Sequence, residues 1–463
     1  MSSPNRERVH RAVGAIVGLA VGDALGAPFE FRPAGTYRRR FPHPLVGGSG
    51  EMVGGGGWDP GEFTDDTQMA LLVAESLLDH GAAVQGDLAA RFRAWVASGP
   101  KDVGISTRAV LTSPVEPVTA ARAYFEAHPG GAAGNGSLMR TVPAAVFFAE
   151  AGTDATMTAA RRISEVTHGD PAAGEGCALY HELVRVALDG GDPLEAVPDA
   201  LEGVAPAYRQ EYERVLDPAW RPDDGPGNGS VWGALATAVW ALRRSAGFEE
   251  AVVTAVDSGE DADTVGAITG GLAGARWGVG AIPSRWTTYL NGEILGRRYA
   301  LADLQDIARR LAGTRPVPLQ AEDPLIEPKE VRPGLWLANL AGARTAPRET
   351  AVISLCRTQG AFLDHPVRRE VYLVDQEGDH NPALDEVMAD VLATIEVFLD
   401  EGRPVLVHCH GGHSRTGLAF RAWLNHADGL AYDDALTAAQ QVWPPLTTYN
   451  QSFEDHLRHL GRT

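Results

Sequence analysis

Two series of glycines spaced four residues apart constrain the fold of this 463-residue chain more than any other feature. Residues four apart lie on one face of an α-helix. A glycine inside a helix costs about 0.5–1 kcal/mol relative to alanine, so each series needs a packing reason. We therefore expect two helices that approach each other closely, deep in one bundle. The glycines are Gly14, Gly18, Gly22 and Gly26 in the first series, and Gly266, Gly270 and Gly274 in the second.

The first two thirds of the chain show helical periodicity. Apolar residues recur at helical spacing, and no long alternation typical of strands occurs up to about residue 313. Residues 1–315 are therefore predicted to form an all-α helical bundle. The predicted helices include Thr67–His80, Leu138–Ala151, Ala172–Leu188, Val231–Arg244 and Leu301–Leu311.

The last third of the chain has a different pattern. Residues 316–330 contain four prolines and no periodicity, which predicts a linker because proline lacks an N–H group and restricts its neighbour. Residues 331–463 alternate short apolar runs with helical patterns, which is typical of a three-layer α/β domain. The predicted strands are Leu335–Leu340, Ala351–Leu355, Glu370–Val374 and Pro404–Cys409, and the predicted helices are Leu384–Leu399, Arg415–Asn425 and Asp433–Val442.

Charge and cysteine content limit the classes of partner. With 40 Lys and Arg against 60 Asp and Glu, the net charge is −20, which disfavours stable binding to nucleic acid or to an anionic membrane. Three cysteines do not suggest a disulfide framework and favour a cytoplasmic location. The apolar run 12–22 follows three arginines, but it is mostly Ala, Gly and Val, and Asp23 follows it. We therefore expect neither a signal peptide nor a segment with the roughly 18 uncharged apolar residues that span a membrane.

Carboxylates adjoin both glycine series. Thr64-Asp65-Asp66-Thr67 opens one predicted helix, and Glu260-Asp261-Ala262-Asp263-Thr264 opens another. Each cluster alone is explained by helix capping, because Thr and Asp are preferred N-caps and acids suit the first turn. Two such clusters in one bundle also favour a metal site, because their hard oxygen ligands suit Mg²⁺, Mn²⁺ or Ca²⁺. Zinc is not expected, since this half has no Cys/His cluster.

Five motifs in this half resemble those of the ADP-ribosylglycohydrolases in the same order. The resemblance covers about residues 8–312 and is specific because the five motifs occur together. It implies an all-α fold and release of ADP-ribose from a modified acceptor. The motifs are Val17–Gly26, Thr64–Thr67, Gly134-Asn135-Gly136-Ser137-Leu138-Met139-Arg140, Ser164–His168 and Asp261–Gly266.

The same resemblance implies roles for individual residues. Glu30 matches a mobile acid that positions water or substrate, and His168 would lie beside the ribose or adenosine. The backbone of the glycine loop would bind the diphosphate, which glycine permits by close approach. Asp102 matches a substrate-pocket segment more loosely. The implied ligands of two Mg²⁺ or Mn²⁺ ions are Thr64, Asp65, Asp66, Asp261, Asp263 and Thr264, and the implied diphosphate loop is Gly134, Asn135, Gly136 and Ser137.

A second candidate site begins at Cys409. A predicted buried strand ends there, and Cys409 and Arg415 bracket a glycine-containing loop before a helix. Such a loop binds anions, a nearby arginine and a helix N-terminus favour a thiolate, and arginine holds two phosphate oxygens at once. A lone cysteine is usually a small buried apolar side chain, and Cys177 and Cys356 are interpreted in that way.

This second segment resembles the cysteine-dependent phosphatases of the dual-specificity type over about residues 331–462. The resemblance implies metal-free hydrolysis of phosphomonoesters, with Cys409 as nucleophile and Thr416 assisting release of the thiolate. Asp379 is the first choice for the general acid and Asp375 the second, since Asp375 directly follows a predicted strand. His410 and His413 stand where lipid phosphatases carry lysines, which makes a strong polyanion preference less expected.

The sequence thus predicts a multidomain, bifunctional hydrolase. Its expected substrates are an ADP-ribosylated protein, nucleic acid or small molecule, and a phosphorylated molecule. The acceptor linkage and the identity of the phosphorylated substrate stay open. The contrary hypothesis is a regulatory protein that binds ADP-ribose or phosphate with one or both domains catalytically silent.

Overall fold

The computed structural model describes residues 3–314, 323–358, 360–376, 378 and 380–460, with side chains from Arg6 onwards. Up to residue 314 it consists mainly of helices that enclose a large apolar core, with a small separate cluster formed by Val110, Ala120 and Ala121. These helices are α1 (Ser3–Gly26), α2 (Thr36–Arg40), α3 (Asp65–His80), α4 (Gln85–Ala97), α5 (Ile105–Thr112), α6 (Pro117–Ala127), α7 (Val142–Phe148), α8 (Thr153–Ser164), α9 (Pro171–Leu188), α10 (Val197–Glu202), α11 (Pro206–Val215), α12 (Val231–Arg243), α13 (Phe248–Val256), α14 (Ala262–Trp277), α15 (Ser284–Thr287) and α16 (Leu301–Leu311).

Helices α1 and α14 pack against each other along their two glycine faces. A Cβ atom added to Gly18 would clash with the carbonyl oxygen of Gly270, and one added to Gly22 would clash with that of Gly266. The pairing is antiparallel, since positions rise along α1 as they fall along α14. This close backbone contact confirms the packing reason inferred from the glycine spacing, and it sets the N-terminus of α14 beside the C-terminus of α1.

Helix α1 also passes a simple test for a membrane span. The segment Arg6–Phe29 has a mean hydropathy of 1.7, and 94% of its apolar window is buried inside the protein. Arg11 and Asp23 limit its uncharged run to residues 12–22, so the segment meets this criterion by its mean hydropathy and not by an uninterrupted uncharged stretch. The helix is apolar on all sides because neighbouring helices surround it.

One short hairpin departs from the all-α prediction. Strands β1 (Asn291–Ile294) and β2 (Arg297–Ala300) pair antiparallel. The turn residues Leu295 and Gly296 both have positive φ, 53° and 79°, as a two-residue type I′ turn requires. Strands of four residues are too short to show the alternation that reveals a longer strand, so the sequence pattern missed them.

The C-terminal part is built around a five-stranded sheet of order β3-β4-β7-β5-β6. Only β3 is antiparallel to its neighbour. The strands are β3 (Lys329–Arg332), β4 (Leu335–Asn339), β5 (Ala351–Ser354), β6 (Arg368–Glu370) and β7 (Val405–Cys409), and the helices are α17 (Leu340–Ala343), α18 (Leu384–Asp400), α19 (Ser414–Asp428), α20 (Tyr432–Val442) and α21 (Gln451–Leu460).

Apolar residues cover both faces of this sheet, as the predicted α/β layering requires. Alternate residues of β7 point to opposite faces: Val405 and Val407 join one apolar cluster, and Leu406 joins another. The strand predicted at Glu370–Val374 lies earlier, at Arg368–Glu370, where it can pair with β5. Strand β3 begins at Lys329, inside the segment predicted as linker, and residues 315–322 of that segment lie outside the described part.

The helical and sheet-containing parts contact each other through several hydrogen bonds. The Arg369 guanidinium donates to the carbonyl oxygen of Gly48 at 2.8 Å, and the Ser284 amide donates to the Asp390 carboxylate at 3.1 Å. Arg309 donates to the Tyr372 hydroxyl at 2.9 Å. Arg369 is 1% exposed, so this contact is a packed interface that fixes the position of one part against the other.

Candidate active sites

The antiparallel packing of α1 and α14 gathers carboxylates from three segments of the helical part. Asp23 is near the end of α1, Glu30 follows it, and α3 and α14 contribute their N-terminal acids. Carboxylate oxygens of Glu30, Asp261 and Asp263 lie within 4.8 Å of one another. Oxygen atoms at this separation can share one cation, so the geometry is that of a candidate metal centre.

Asp23 positions the N-terminus of α3. It accepts hydrogen bonds from the amides of Thr64 and Thr67 at 3.0 Å and from the Thr67 hydroxyl at 2.5 Å. Burial raises the pKa of Asp23 to about 6. Its role was not assigned from the sequence, although it stands in the first glycine motif, because nothing in the pattern shows that its carboxylate turns toward α3.

Asp66 provides the clearest test of whether a metal fits. Its Oδ2 atom is buried without a hydrogen-bond partner, and its Oδ1 accepts from the Thr264 hydroxyl at 3.4 Å, which links α3 to α14. A buried acceptor without a donor is costly, and native proteins seldom leave one unsatisfied. A divalent cation would satisfy it, so the donor set fits a hard metal ion.

Electrostatics support the same interpretation. Burial raises the pKa values of Asp65, Asp66 and Asp263 well above the ordinary range, and neighbouring carboxylates raise them further. Burial, followed by the charge of Asp102, raises the pKa of Glu30 to about 7. None of these groups has an ion-pair partner among the described residues. A cation bound here would lower these pKa values by replacing protons.

Thr64 acts as the N-cap of α3, as the alternative explanation from capping predicts. Its hydroxyl accepts from the Asp66 amide at 3.5 Å. Capping therefore accounts for this threonine, but not for the unpartnered Asp66 oxygen beside it. Thr264 and Asp263 stand in the first turn of α14, where the Thr264 amide donates to Asp263 Oδ1 at 2.9 Å.

The glycine loop contacts the carboxylate cluster through Asn135. The Asn135 amide nitrogen donates to Asp261 at 2.7 Å and to the Asn228 carbonyl at 2.9 Å. Asn228, which the sequence analysis did not single out, accepts from the Asp261 amide at 3.1 Å. The Ser137 side chain is fully buried and accepts from Ser164 at 2.8 Å. Its hydroxyl therefore braces the loop from inside.

His168 and Arg140 lie beneath this loop. His168 is 3% exposed, and burial lowers its pKa to about 3, so the ring is neutral. Arg140 is fully buried, donating to the Gly136 carbonyl at 3.2 Å and to Thr167 at 2.7 Å. Arg140 thus supports the loop from inside, and the contact of His168 with ribose or adenosine stays a prediction. Arg140 is the last residue of the glycine motif. This position is the one sequence signal that points to its role in supporting the loop.

Cys409 ends the buried central strand β7 and is 2% exposed. The following loop leads into α19, and Trp443 donates to the Gly412 carbonyl at 2.8 Å, which holds the turn. Arg415 donates to the carbonyl oxygens of Leu355 and Leu373 at 2.8 and 3.2 Å. These bonds fix the guanidinium at the end of the sheet beside the cysteine loop.

Asp375 is the candidate general acid that the structure describes. Its carboxylate lies 3.6 Å from Arg415 Nε and accepts from Asn450 at 3.3 Å. Asp379 lies outside the described residues, so the choice between the two acids stays a prediction. Thr416 is buried, and its hydroxyl has no hydrogen-bond partner in the described chain. His410 faces Asp323 at 3.2 Å, and His413 bonds to the Pro445 carbonyl at 2.7 Å.

The first site and the fold around it define a helical bundle with a carboxylate-lined centre. The family model for ADP-ribosylglycohydrolases matches residues 3–319, and the chain belongs to the ADP-ribosylglycohydrolase family. It is 32% identical over 287 residues to ADP-ribosyl-dinitrogen reductase glycohydrolase from Rhodospirillum rubrum, covering 61% of this chain and 91% of the relative. It is 30% identical over 291 residues to ADP-ribosylarginine hydrolase Tri1 from Pseudomonas putida strain GB-1, covering 60% and 74%.

Solved structures agree for this part of the chain. An ADP-ribosylglycohydrolase-related protein complex is 36% identical, with a TM-score of 0.53, and the match covers 66% of this chain and 98% of the other. Another solved structure, Tk-PTP in its active form, matches 29% of this chain and 97% of the other at 21% identity and a TM-score of 0.26. That score is too low to support an argument about fold or activity.

Proposed function

We propose that the chain is a bifunctional hydrolase. Its helical domain hydrolyses the N- or O-glycosidic bond that joins ADP-ribose to an acceptor, and its C-terminal domain hydrolyses phosphomonoesters through Cys409. Family membership supports the first activity in general. The observation that carries its metal dependence is the buried, unpartnered Asp66 oxygen within a cluster of unpaired carboxylates. Since its cysteines are free, we also propose a reducing, cytoplasmic location.

We propose that two divalent cations, Mg²⁺ or Mn²⁺, bind in this cluster. When bound, they would supply Lewis-acid polarisation of ribose hydroxyls and of a water molecule. The proposed ligands are Thr64, Asp65, Asp66, Asp261, Asp263 and Thr264. Asn135 holds Asp261 by a hydrogen bond of 2.7 Å, and Asp23 holds the turn that presents Asp65 and Asp66.

Glu30 is the proposed proton-transfer group of this reaction. Its carboxylate lies within 4.8 Å of those of Asp261 and Asp263, close enough to accept a proton from a water molecule held at that centre. Bond breaking at the anomeric carbon leaves an oxocarbenium-like centre, which nearby carboxylates stabilise. The amides of the Gly134–Ser137 loop would receive the diphosphate, and Asp102 would contact the substrate near Glu30.

ADP-ribosylated arginine is the acceptor that we propose first, because one relative is named ADP-ribosylarginine hydrolase. The test incubates the protein and Mg²⁺ with ADP-ribosyl-arginine protein, ADP-ribosyl-serine protein, ADP-ribosylated DNA ends and ADP-ribose 1″-phosphate. Released ADP-ribose is then measured by chromatography. We expect release of ADP-ribose from the arginine substrate, and we expect EDTA to abolish this release. Binding of ADP-ribose without turnover of any substrate would favour the silent regulatory protein instead.

The second activity is supported by how Cys409, Arg415 and Asp375 are arranged at the end of the sheet. The Cys409 thiolate would attack phosphorus, forming an S–P bond as the ester P–O bond breaks, and a carboxylic acid would protonate the leaving oxygen. Water would then cleave the S–P bond and release inorganic phosphate. Hydrolysis of p-nitrophenyl phosphate by the wild type but not by Cys409→Ala tests this activity directly.

A further inference from the structure

Cys409 lies in a cavity whose wall comes from both domains. The cavity has a volume of about 630 Å³ and is lined by Cys409 and Arg415 from the C-terminal part and by Arg6, His10 and Arg309 from the helical part. This volume falls within the roughly 300–1,000 Å³ typical of small-molecule sites. The interface hydrogen bonds between the two parts hold this wall in place.

Arg6 reaches the cavity from the first turns of α1. Its Nη1 atom lies 3.5 Å from the position that a Cβ on Gly378 would occupy, so it borders the segment that follows Asp375. The guanidinium is half-buried, and within the described chain it has neither a hydrogen bond nor an ion pair. Its five N–H donors are therefore available to a ligand.

Arg309 enters the same cavity from α16. The residue is 8% exposed, and one guanidinium nitrogen donates to Tyr372 at 2.9 Å. The other, Nη1, is buried without a hydrogen bond, and its nearest carboxylate oxygen, on Asp306, is 3.7 Å away. A buried charged donor with unused hydrogen-bonding capacity is costly unless a ligand or water satisfies it.

The carboxylates that line the cavity already have partners. Asp375 faces Arg415 and Asn450, Glu370 accepts from the Thr358 hydroxyl at 3.0 Å, and Asp323 faces His410. Arg6 thus stays available to an anion and Arg309 adds a positive charge to the same wall, in a chain whose net charge of −20 opposes anion binding elsewhere.

We propose that Arg6 and Arg309 bind a second anionic group of the substrate whose phosphomonoester occupies the Cys409–Arg415 loop. The substrate class is a small phosphomonoester that carries a further phosphate, since the cavity volume of about 630 Å³ suits a small molecule. Guanidinium groups suit this role because they bind phosphate oxygens in pairs. This inference rests on the proposed phosphatase activity, and it makes the two arginines specificity-determining residues.

The test compares 3′-AMP with adenosine 3′,5′-bisphosphate, which differ by one phosphate. Dissociation constants are measured by calorimetry on the full chain carrying Cys409→Ser, and kcat/KM on the chain with Cys409 intact. We expect the bisphosphate to bind about tenfold more tightly, the effect of one charge-assisted hydrogen bond or more. Arg6→Gln and Arg309→Gln should each abolish most of this tenfold difference in affinity between the two nucleotides. Arg309→Lys should retain part of it.

Arg8→Gln is the matched control, because Arg8 lies on the same helix but pairs with Glu150 and Asp189, away from the cavity. It should leave the ratio unchanged. If Arg309→Gln unfolds, Arg6→Gln still decides the matter, since Arg6 has no partner to lose among the residues that the structure describes. The inference is overturned if the two nucleotides bind equally or if Arg6→Gln leaves the ratio of their dissociation constants unchanged. It is also overturned if a phosphoprotein is hydrolysed faster than the bisphosphate. Absence of p-nitrophenyl phosphate hydrolysis would instead remove the proposed phosphatase activity, while the dissociation constants would still decide the anion site.

Discussion

The carboxylate cluster of the helical domain and the Cys409 cavity carry opposite charges. The cluster packs Asp65, Asp66 and Asp263 beside Glu30 with no positive partner among the described residues, and burial and like charges raise their pKa values. We therefore expect a diphosphate to bind there only together with a cation. The cavity presents Arg415 and the two wall arginines beside three carboxylates, so we expect a phosphate to bind there without a metal ion. The two activities should therefore respond differently to metal removal, and a substitution at one centre should abolish one activity and leave the other intact.

The largest expected effect is loss of ADP-ribose release in Asp263→Asn. This change removes one carboxylate of the trio within 4.8 Å, and loss of a charged metal ligand should lower the rate by about a thousandfold or more. Release of ADP-ribose is measured beside p-nitrophenyl phosphate hydrolysis, which should persist. EDTA should have the same selective effect. Asp303→Asn, a surface change in α16, is the control, and undiminished release in EDTA would argue against metal dependence.

The reciprocal change is Cys409→Ser. Phosphomonoester hydrolysis should fall by about a thousandfold or more, because serine lacks a thiolate nucleophile. The Arg415 anchors to Leu355 and Leu373 do not involve Cys409, so phosphate should still bind. Calorimetry with inorganic phosphate measures this, and ADP-ribose release should match the wild type. Cys177→Ser is the control, and residual turnover by Cys409→Ser equal to the wild type would remove Cys409 from the mechanism.

The third prediction separates Asp375 from Asp379. Loss of the general acid should slow hydrolysis of an ester with a poor leaving group, such as phenyl phosphate, by about a hundredfold. An ester with a good leaving group should be affected much less. We keep Asp379→Asn as the variant expected to show this pattern. The same pattern in Asp375→Asn alone would reassign the role to the residue 3.6 Å from Arg415.

The glycine packing offers a fourth, smaller effect. In Gly22→Ala the new methyl group would collide with the Gly266 carbonyl, and such overpacking costs about 1–3 kcal/mol. Urea unfolding followed by circular dichroism measures the loss of stability. In Gly86→Ala, on α4, nothing lies within 4 Å of the added Cβ, so stability should not fall. Equal effects of the two changes would show that the α1–α14 contact is not tight.

Periodic sequence patterns predicted the main helices and strands, but not the side-chain contacts between segments that are distant in sequence. The glycine spacing predicted the contact of α1 with α14, and strand–helix alternation predicted the C-terminal sheet. The roles of Asp23, Asn228 and Arg140 could not be read in this way, because each depends on where a side chain turns after distant segments meet. The same holds for Arg6 and Arg309, since neither stands near Cys409 in sequence and only domain packing brings them to its cavity.

The smallest expected effect concerns His10, where the two domains meet. His10 is buried, and its Nε2 accepts from the Gly280 amide at 3.2 Å. Burial, followed by the charges of Arg11 and Arg309, lowers its pKa to about 3. In the unfolded chain the imidazole binds a proton near pH 6.5. The unfolded state therefore holds more protons between those values, and stability is lost as the pH falls from 6.5 toward 3.

The wild type should accordingly lose about 1.6 kcal/mol more than His10→Gln between pH 6.5 and pH 5. Glutamine keeps an acceptor for the Gly280 amide but does not titrate, so the difference isolates His10 from the other buried histidines. His80→Gln is the control, because His80 is exposed beside Asp87. Urea unfolding at the two pH values measures each variant. Identical acid sensitivity of His10→Gln and the wild type would mean that His10 becomes protonated without disturbing the contact, and the domain boundary would then be looser than its hydrogen bonds indicate.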